Sequence, residues 1–158
     1  MKSPIHVDNR SIVSSLNISK ITCTFLVPLK IVRQLPNSER KKIGKNLGVL
    51  LKIHAHRLNR RKKFNSRALT IKYQKQGNSL IKFNTRIHPE EWAQLGIIAA
   101  SHGISKCLLY CILIQLQLSK LSKRFMKPRN ILSSKIRYYS FVWSLDLKTK
   151  KIRRTLYE

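Results

Sequence analysis

Hydrophobic and polar positions along the chain switch between two periods. From Ile21 to Val27 they alternate, with Ile21, Cys23, Phe25 and Val27 on one face and Thr22, Thr24 and Leu26 on the other. That pattern predicts a short strand, which Pro28 ends. Leu29 to Leu35 reads as a brief helix. Asn37 or Ser38 then offers a cap for a longer helix through about Leu58, because Ile43, Leu47, Leu50, Leu51 and Leu58 fall at helical spacing, although Gly44 and Gly48 lower its propensity. Asn59 to Lys63 is a basic break. Leu69 to Gln74 alternates again, and Gln76-Gly77-Asn78-Ser79 is a turn signal leading into a further alternating stretch, Leu80 to Ile87, so a local hairpin is expected. In this stretch Lys82, Asn84 and Arg86 share one face, and Phe83, Thr85 and Ile87 the other.

Helical spacing then takes over. Pro89 suits the first position of a helix, Glu90 and Glu91 its first turn, and Trp92, Leu95, Ala99 and His102 form an apolar stripe that Gly103 stops. Ser105 caps a second helix of about Lys106 to Leu121, apolar almost all round between Cys107 and Leu116, which should therefore be covered on more than one side. Beyond Pro128, the stretches Ile136 to Leu147 and Lys151 to Tyr157 are rich in aromatic and β-branched residues around the polar turn Lys148-Thr149-Lys150, and read as a C-terminal hairpin. Its aromatic residues Tyr138, Tyr139, Phe141 and Trp143 are expected to pack rather than to stack on bases. The class is α+β. Its segments are a flexible arm (1–20), a strand-helix-helix unit (21–58), a basic linker (59–78), a second strand-helix-helix unit (79–122) and the hairpin (129–158).

Charge narrows the function. The chain of 158 residues has 33 Lys and Arg against 6 Asp and Glu, a net charge of +27, and that much like charge calls for a polyanionic partner. The charge is uneven, for residues 30–75 hold 15 basic and 1 acidic side chain while residues 79–118 hold 3 and 2. Such a division is expected where phosphate contacts supply affinity and a few base contacts supply discrimination.

Other chemistry is thin. The carboxylates Asp8, Glu39, Glu90, Glu91, Asp146 and Glu158 are scattered, His54 and His56 lie on different helical faces, and His88 and His102 bracket one helix as structural residues, caps or phosphate contacts. No catalytic residue, and hence no enzyme, is expected. Cys23, Cys107 and Cys111 form neither a disulfide framework nor a zinc motif, so no metal and no cofactor is expected. Met1 to Leu16 lacks the apolar stretch of a secretory signal, and the run Cys107 to Leu118 is too short to span a bilayer. A cytoplasmic protein without a membrane partner is expected.

The stretch KFNTRIHPEEWAQLGIIAASHGISKCLLYCILIQLQL, in the order strand, proline, helix, Gly-Ile-Ser-Lys, helix, resembles the ribbon-helix-helix (Arc/MetJ-like) repressors over residues of about 80–121. The resemblance implies that Lys82, Asn84 and Arg86 contact bases in the major groove of double-stranded DNA and that the amides near Ile104, Ser105 and Lys106 hold a phosphate. The pattern departs at Thr85, where the family has an inward aliphatic residue, and at Cys107, where it has a polar one. From Ile21 on, the ITCTFLVP opening, the SERKK helix, the NTR, Trp, Leu-Gly and His-Gly block and the Tyr-Ser to Leu-Asp-Leu tail are similar to an uncharacterised paralogous family of spirochaetes, which implies little mechanism.

Because residues 21–58 repeat the strand-helix-helix order, one chain is expected to fold as an internal pseudo-dimer, with a homodimer as the alternative. Thr22 and Thr24 would then join the base-reading face. Arg60, Arg61, Lys62 and Lys63 are expected to bind phosphates. The function expected is sequence-selective duplex binding in transcription regulation. An RNA-binding or ribosome-associated basic protein, or an antitoxin-like repressor whose hairpin grips a protein partner, is the alternative.

Overall fold

The computed structural model describes residues 19–59, 61–67, 69–75, 79–121 and 140–157. The arm over residues 1–18, Arg60, the turn residues Gln76, Gly77 and Asn78, and Tyr138 and Tyr139 lie outside them.

Strand β1 (Ile21–Pro28) leads into α1 (Leu29–Gln34), α2 (Asn37–Arg40) and α3 (Leu47–Asn59); β2 (Leu80–Ile87) leads into α4 (Pro89–His102) and α5 (Lys106–Leu121); β3 (Ser140–Asp146) and β4 (Lys151–Tyr157) end the chain. The fold is α+β with two small antiparallel sheets. In one, β1 pairs with β2 from Ile21 opposite Ile87 to Pro28 opposite Leu80. In the other, β3 pairs with β4 as the C-terminal hairpin.

The local hairpin expected between 69–74 and 80–87 does not form. The partner of β2 is β1, more than fifty residues away, and residues 69–75 instead run beside the start of α5, where Lys72 bridges to Ile104. Burial explains the preference. Leu69, Ile71 and Tyr73 stay largely exposed, whereas β1 contributes Cys23, Phe25 and Val27 to the core. Phe25 is sandwiched by both helices of the second unit, its ring 4.1 Å from that of Tyr110 in α5 and 5.8 Å, edge on, from that of Trp92 in α4. Burying a Phe side chain is worth roughly 1.5–3 kcal/mol, which a pairing with 69–74 would forgo.

The long helix expected over 37–58 is interrupted. A left-handed turn at Gly44, with φ +83°, divides it into α2, a turn and α3. Only a residue without a Cβ takes that conformation readily, and the space a Cβ would need is filled by the side chain of Thr85 from β2. The Gly44 amide donates to Tyr110 Oη at 2.6 Å, and the Tyr110 hydroxyl donates to Asn46 Oδ1 at 2.7 Å. Burial drives the Tyr110 hydroxyl well above the usual phenol range, so it stays protonated and able to donate. Pro36, not Asn37 or Ser38, stands at the cap position of α2.

The second unit follows its sequence signals closely. Gly103, with φ +65°, ends α4, and the Leu108 amide donates to Ser105 Oγ at 3.1 Å, capping α5. Both units place a left-handed glycine before their last helix, Gly44 before α3 as Gly103 before α5, although the first unit has two short helices, α1 and α2, where the second has α4. Leu47, Leu50, Leu51 and Leu58 of α3 are buried with Leu95, Ile98, Leu109 and Leu113 of α4 and α5 in one core beneath the β1–β2 ribbon. His102 is fully buried, its Nε2 donating to the Leu58 carbonyl at 3.1 Å, so it caps nothing and meets no phosphate. Burial lowers its pKa to about 4.

The C-terminal hairpin rests on α4. Leu156 is buried, and Arg154 Nη2 donates to the carbonyls of Thr70 at 3.1 Å and Arg67 at 3.2 Å beside Gly103. Of the aromatic residues expected to pack, Phe141 is half-buried but Trp143, which pairs with Arg154, is 51% exposed.

Candidate nucleic-acid interface

Alternation in both strands gives the ribbon two unlike faces. Beneath lie Cys23, Phe25, Val27, Thr85 and Ile87, all buried. Thr85 occupies the inward position as its place in the pattern implies, and its hydroxyl finds no partner among the described residues, so a methyl beside Gly44 is what the site uses.

The outer face brings together the five side chains expected to read bases. Thr22 stands opposite Arg86, Thr24 opposite Asn84 and Leu26 opposite Lys82. Thr22, Lys82, Asn84 and Arg86 are exposed and Thr24 is half-buried. Thr24 Oγ1 donates to Asn84 Oδ1 at 2.8 Å, which ties the two strands at the centre of the face. Leu26, 37% exposed, completes the face.

Where Thr22 and Arg86 form the end of the ribbon, the surface opens into a cleft lined by Lys20, Lys45, His88 and Glu91. Lys45 comes from the turn after Gly44, which the close approach to Thr85 holds against the ribbon. Glu91 is the one carboxylate there, and it lies against Gly48 in the first turn of α3, where a helix start favours an anion.

The residues expected to bind phosphate are dispersed. Ile104 is buried and its amide donates to the Ala99 carbonyl at 3.0 Å, while the Ser105 amide donates to the Lys72 carbonyl at 2.9 Å. Those two amides are therefore already committed inside the protein, which corrects the expectation of a phosphate held by them. Lys106 remains, with its ammonium 4.1 Å above the Trp92 ring. Arg61, Lys62 and Lys63 are exposed but sit at the far end of α4, where Phe64 stacks on His102 at 4.7 Å. Fourteen residues of helix put them about 20 Å from the start of α4 at Pro89, beside which the cleft opens. Arg60 lies outside the described residues.

Lys20 and Lys45 were not singled out from sequence. The signal for Lys45 lies in the repeat: Gly44-Lys45-Asn46 stands before α3 as Gly103-Ile104-Ser105 stands before α5.

Among the described residues no three His, Cys, Asp or Glu are grouped to hold a metal ion, and no helix is long and apolar enough to cross a membrane. The three cysteines are free thiols. Cys111, buried under β1, is pushed up to about 12 by burial, which keeps it an unreactive thiol.

The model of one protein family, described as a protein of unknown function (DUF1564), matches residues 1–158. The chain belongs to the DUF1564 family. No curated protein and no solved structure matches it. The DUF1564 match spans both strand-helix-helix units and the hairpin, so the ribbon is formed within a single family module.

Proposed function

We propose that this protein binds double-stranded DNA with sequence selectivity, inserting the β1–β2 ribbon into the major groove, and that it regulates transcription. The observation that carries the reading is the outer face of the ribbon: Thr22, Thr24, Lys82, Asn84 and Arg86 stand side by side on a twisted two-stranded strip, raised above a sealed core, on a chain of charge +27. A two-stranded ribbon fits the major groove of B-form DNA. Arg and Lys match the guanine acceptors and Asn the adenine pair of donor and acceptor. The resemblance of residues 80–121 to ribbon-helix-helix repressors supports the same reading, with β1 supplying the strand that a second subunit supplies in those proteins.

Phosphate contacts are assigned to Lys45 and Lys20 at the ribbon end and to Lys106 beneath it. Arg61, Lys62 and Lys63, at the other end of α4 from the cleft, add general attraction that carries no sequence information. Competition between a duplex DNA and a structured RNA at matched salt tests the class of partner. Preference for the DNA is expected, because the deep and narrow major groove of A-form RNA admits no ribbon. Equal or tighter binding of the RNA would turn the assignment toward an RNA-binding protein.

A further inference from the structure

The ribbon repeats itself about a pseudo-two-fold axis, yet its two halves are chemically unlike. Thr22, Thr24 and Leu26 hold the places in β1 that Lys82, Asn84 and Arg86 hold in β2, counting back from the helices that begin at Leu29 and Pro89. In the observed register Thr24 faces Asn84, its own counterpart, so the axis passes through that hydrogen-bonded pair. Two identical strands in this register would present the same pair of side chains at both ends and so demand a palindromic site. Here one end presents Thr22 with Arg86, and the other presents Leu26 with Lys82.

Resting on the duplex-binding reading above, we propose that one chain recognises a non-palindromic duplex without a second copy. At one end Arg86 takes a guanine, the hydroxyl of Thr22 beside it serving either base edge. At the other end Leu26 lies against a thymine methyl and Lys82 takes a guanine. At the centre Thr24 fills one lone pair of Asn84 Oδ1, leaving the other lone pair and the amide donors for an adenine. Four residues of strand separate the ends, roughly 14 Å or about four base-pair steps, which sets the length read directly.

Selection of bound duplexes from a random pool by the intact chain, with the mass of the complex measured by light scattering, tests this. A consensus unlike its own reverse complement, bound by one chain per duplex, is expected. A palindromic consensus bound by two chains would overturn the proposal while leaving duplex reading intact, whereas no preference among duplexes would overturn both. Because all three β1 positions are on the outer face, the variant combining Thr22→Lys, Thr24→Asn and Leu26→Arg should shift the consensus to an inverted repeat. If that variant fails to fold, the single change Leu26→Arg should still alter base preference roughly tenfold at that end alone. An unchanged consensus in the folded variant would also overturn the proposal.

Discussion

Gly44→Ala should destabilise the protein by about 2–5 kcal/mol, in two separable parts. A left-handed backbone with a Cβ costs roughly 1–2 kcal/mol, and φ at Gly44 is +83°. The added methyl would also run into the Thr85 side chain, chiefly its Cγ2 methyl, from the back of β2, and overpacking of this kind costs about 1–3 kcal/mol. Thr85→Ser removes the methyl in conflict while retaining the hydroxyl. In a double-mutant cycle read by urea unfolding, Gly44→Ala should therefore cost less when Thr85 is already Ser, the Cβ at 2.8 Å remaining as the lesser conflict, with a coupling of about 1–2 kcal/mol. Additive effects within about 0.5 kcal/mol would show that the turn does not sit beneath the ribbon, and the placement of Lys45 beside Arg86 would fall with it.

Three further outcomes are expected. Lys45→Ala should weaken binding to all duplexes alike and lower the salt slope by about one, while neutralising Arg61, Lys62 and Lys63 together should alter discrimination between sequences very little; salt titrations of binding check both. Stability should fall as pH drops from about 7 towards 4, because His102 protonates near 6.5 in the unfolded chain but only near 4 when folded, so the unfolded state gains the proton first. The loss, discounted for screening, is on the order of 2 kcal/mol in urea unfolding, and a stability that is flat or rises over that range would contradict it. Tyr110→Phe should cost about 1–3 kcal/mol in the same assay by leaving the buried Gly44 amide unpaired, and a neutral effect would mean that the amide finds another acceptor.

The second unit was legible in the sequence because its signals are local and agree. Pro89 opens α4, Gly103 closes it and Ser105 caps α5, each within a residue of the expected place. The first unit was harder. Its helix over 37–58 has good apolar spacing, but a contact from β2 decides the backbone at Gly44, and no pattern within the helix records it. Likewise, the turn signal before Leu80 pointed to a neighbouring strand. Pairing was settled instead by which stretch could bury an apolar face against α4 and α5, and Phe25 does so where Leu69, Ile71 and Tyr73 do not. The outer-face residues of the ribbon could be named from alternation alone. The lysines proposed to hold phosphate could not, since a basic run such as Arg61 to Lys63 reveals its charge but not where it sits, and while the Ile104 amide is taken locally by Ala99 of α4, the Ser105 amide is taken by Lys72, from a segment outside any motif.

The central claim is that the exposed face of the ribbon inspects bases. Affinities of wild type and Arg86→Ala for a selected duplex and for each single base-pair replacement in it, at fixed salt, test this most directly. Arg86 is exposed, so the variant should fold normally, and it should lose about 1–3 kcal/mol of discrimination at one base pair while preferences elsewhere in the site persist. Uniform weakening across the whole set, with every preference retained, would contradict the account.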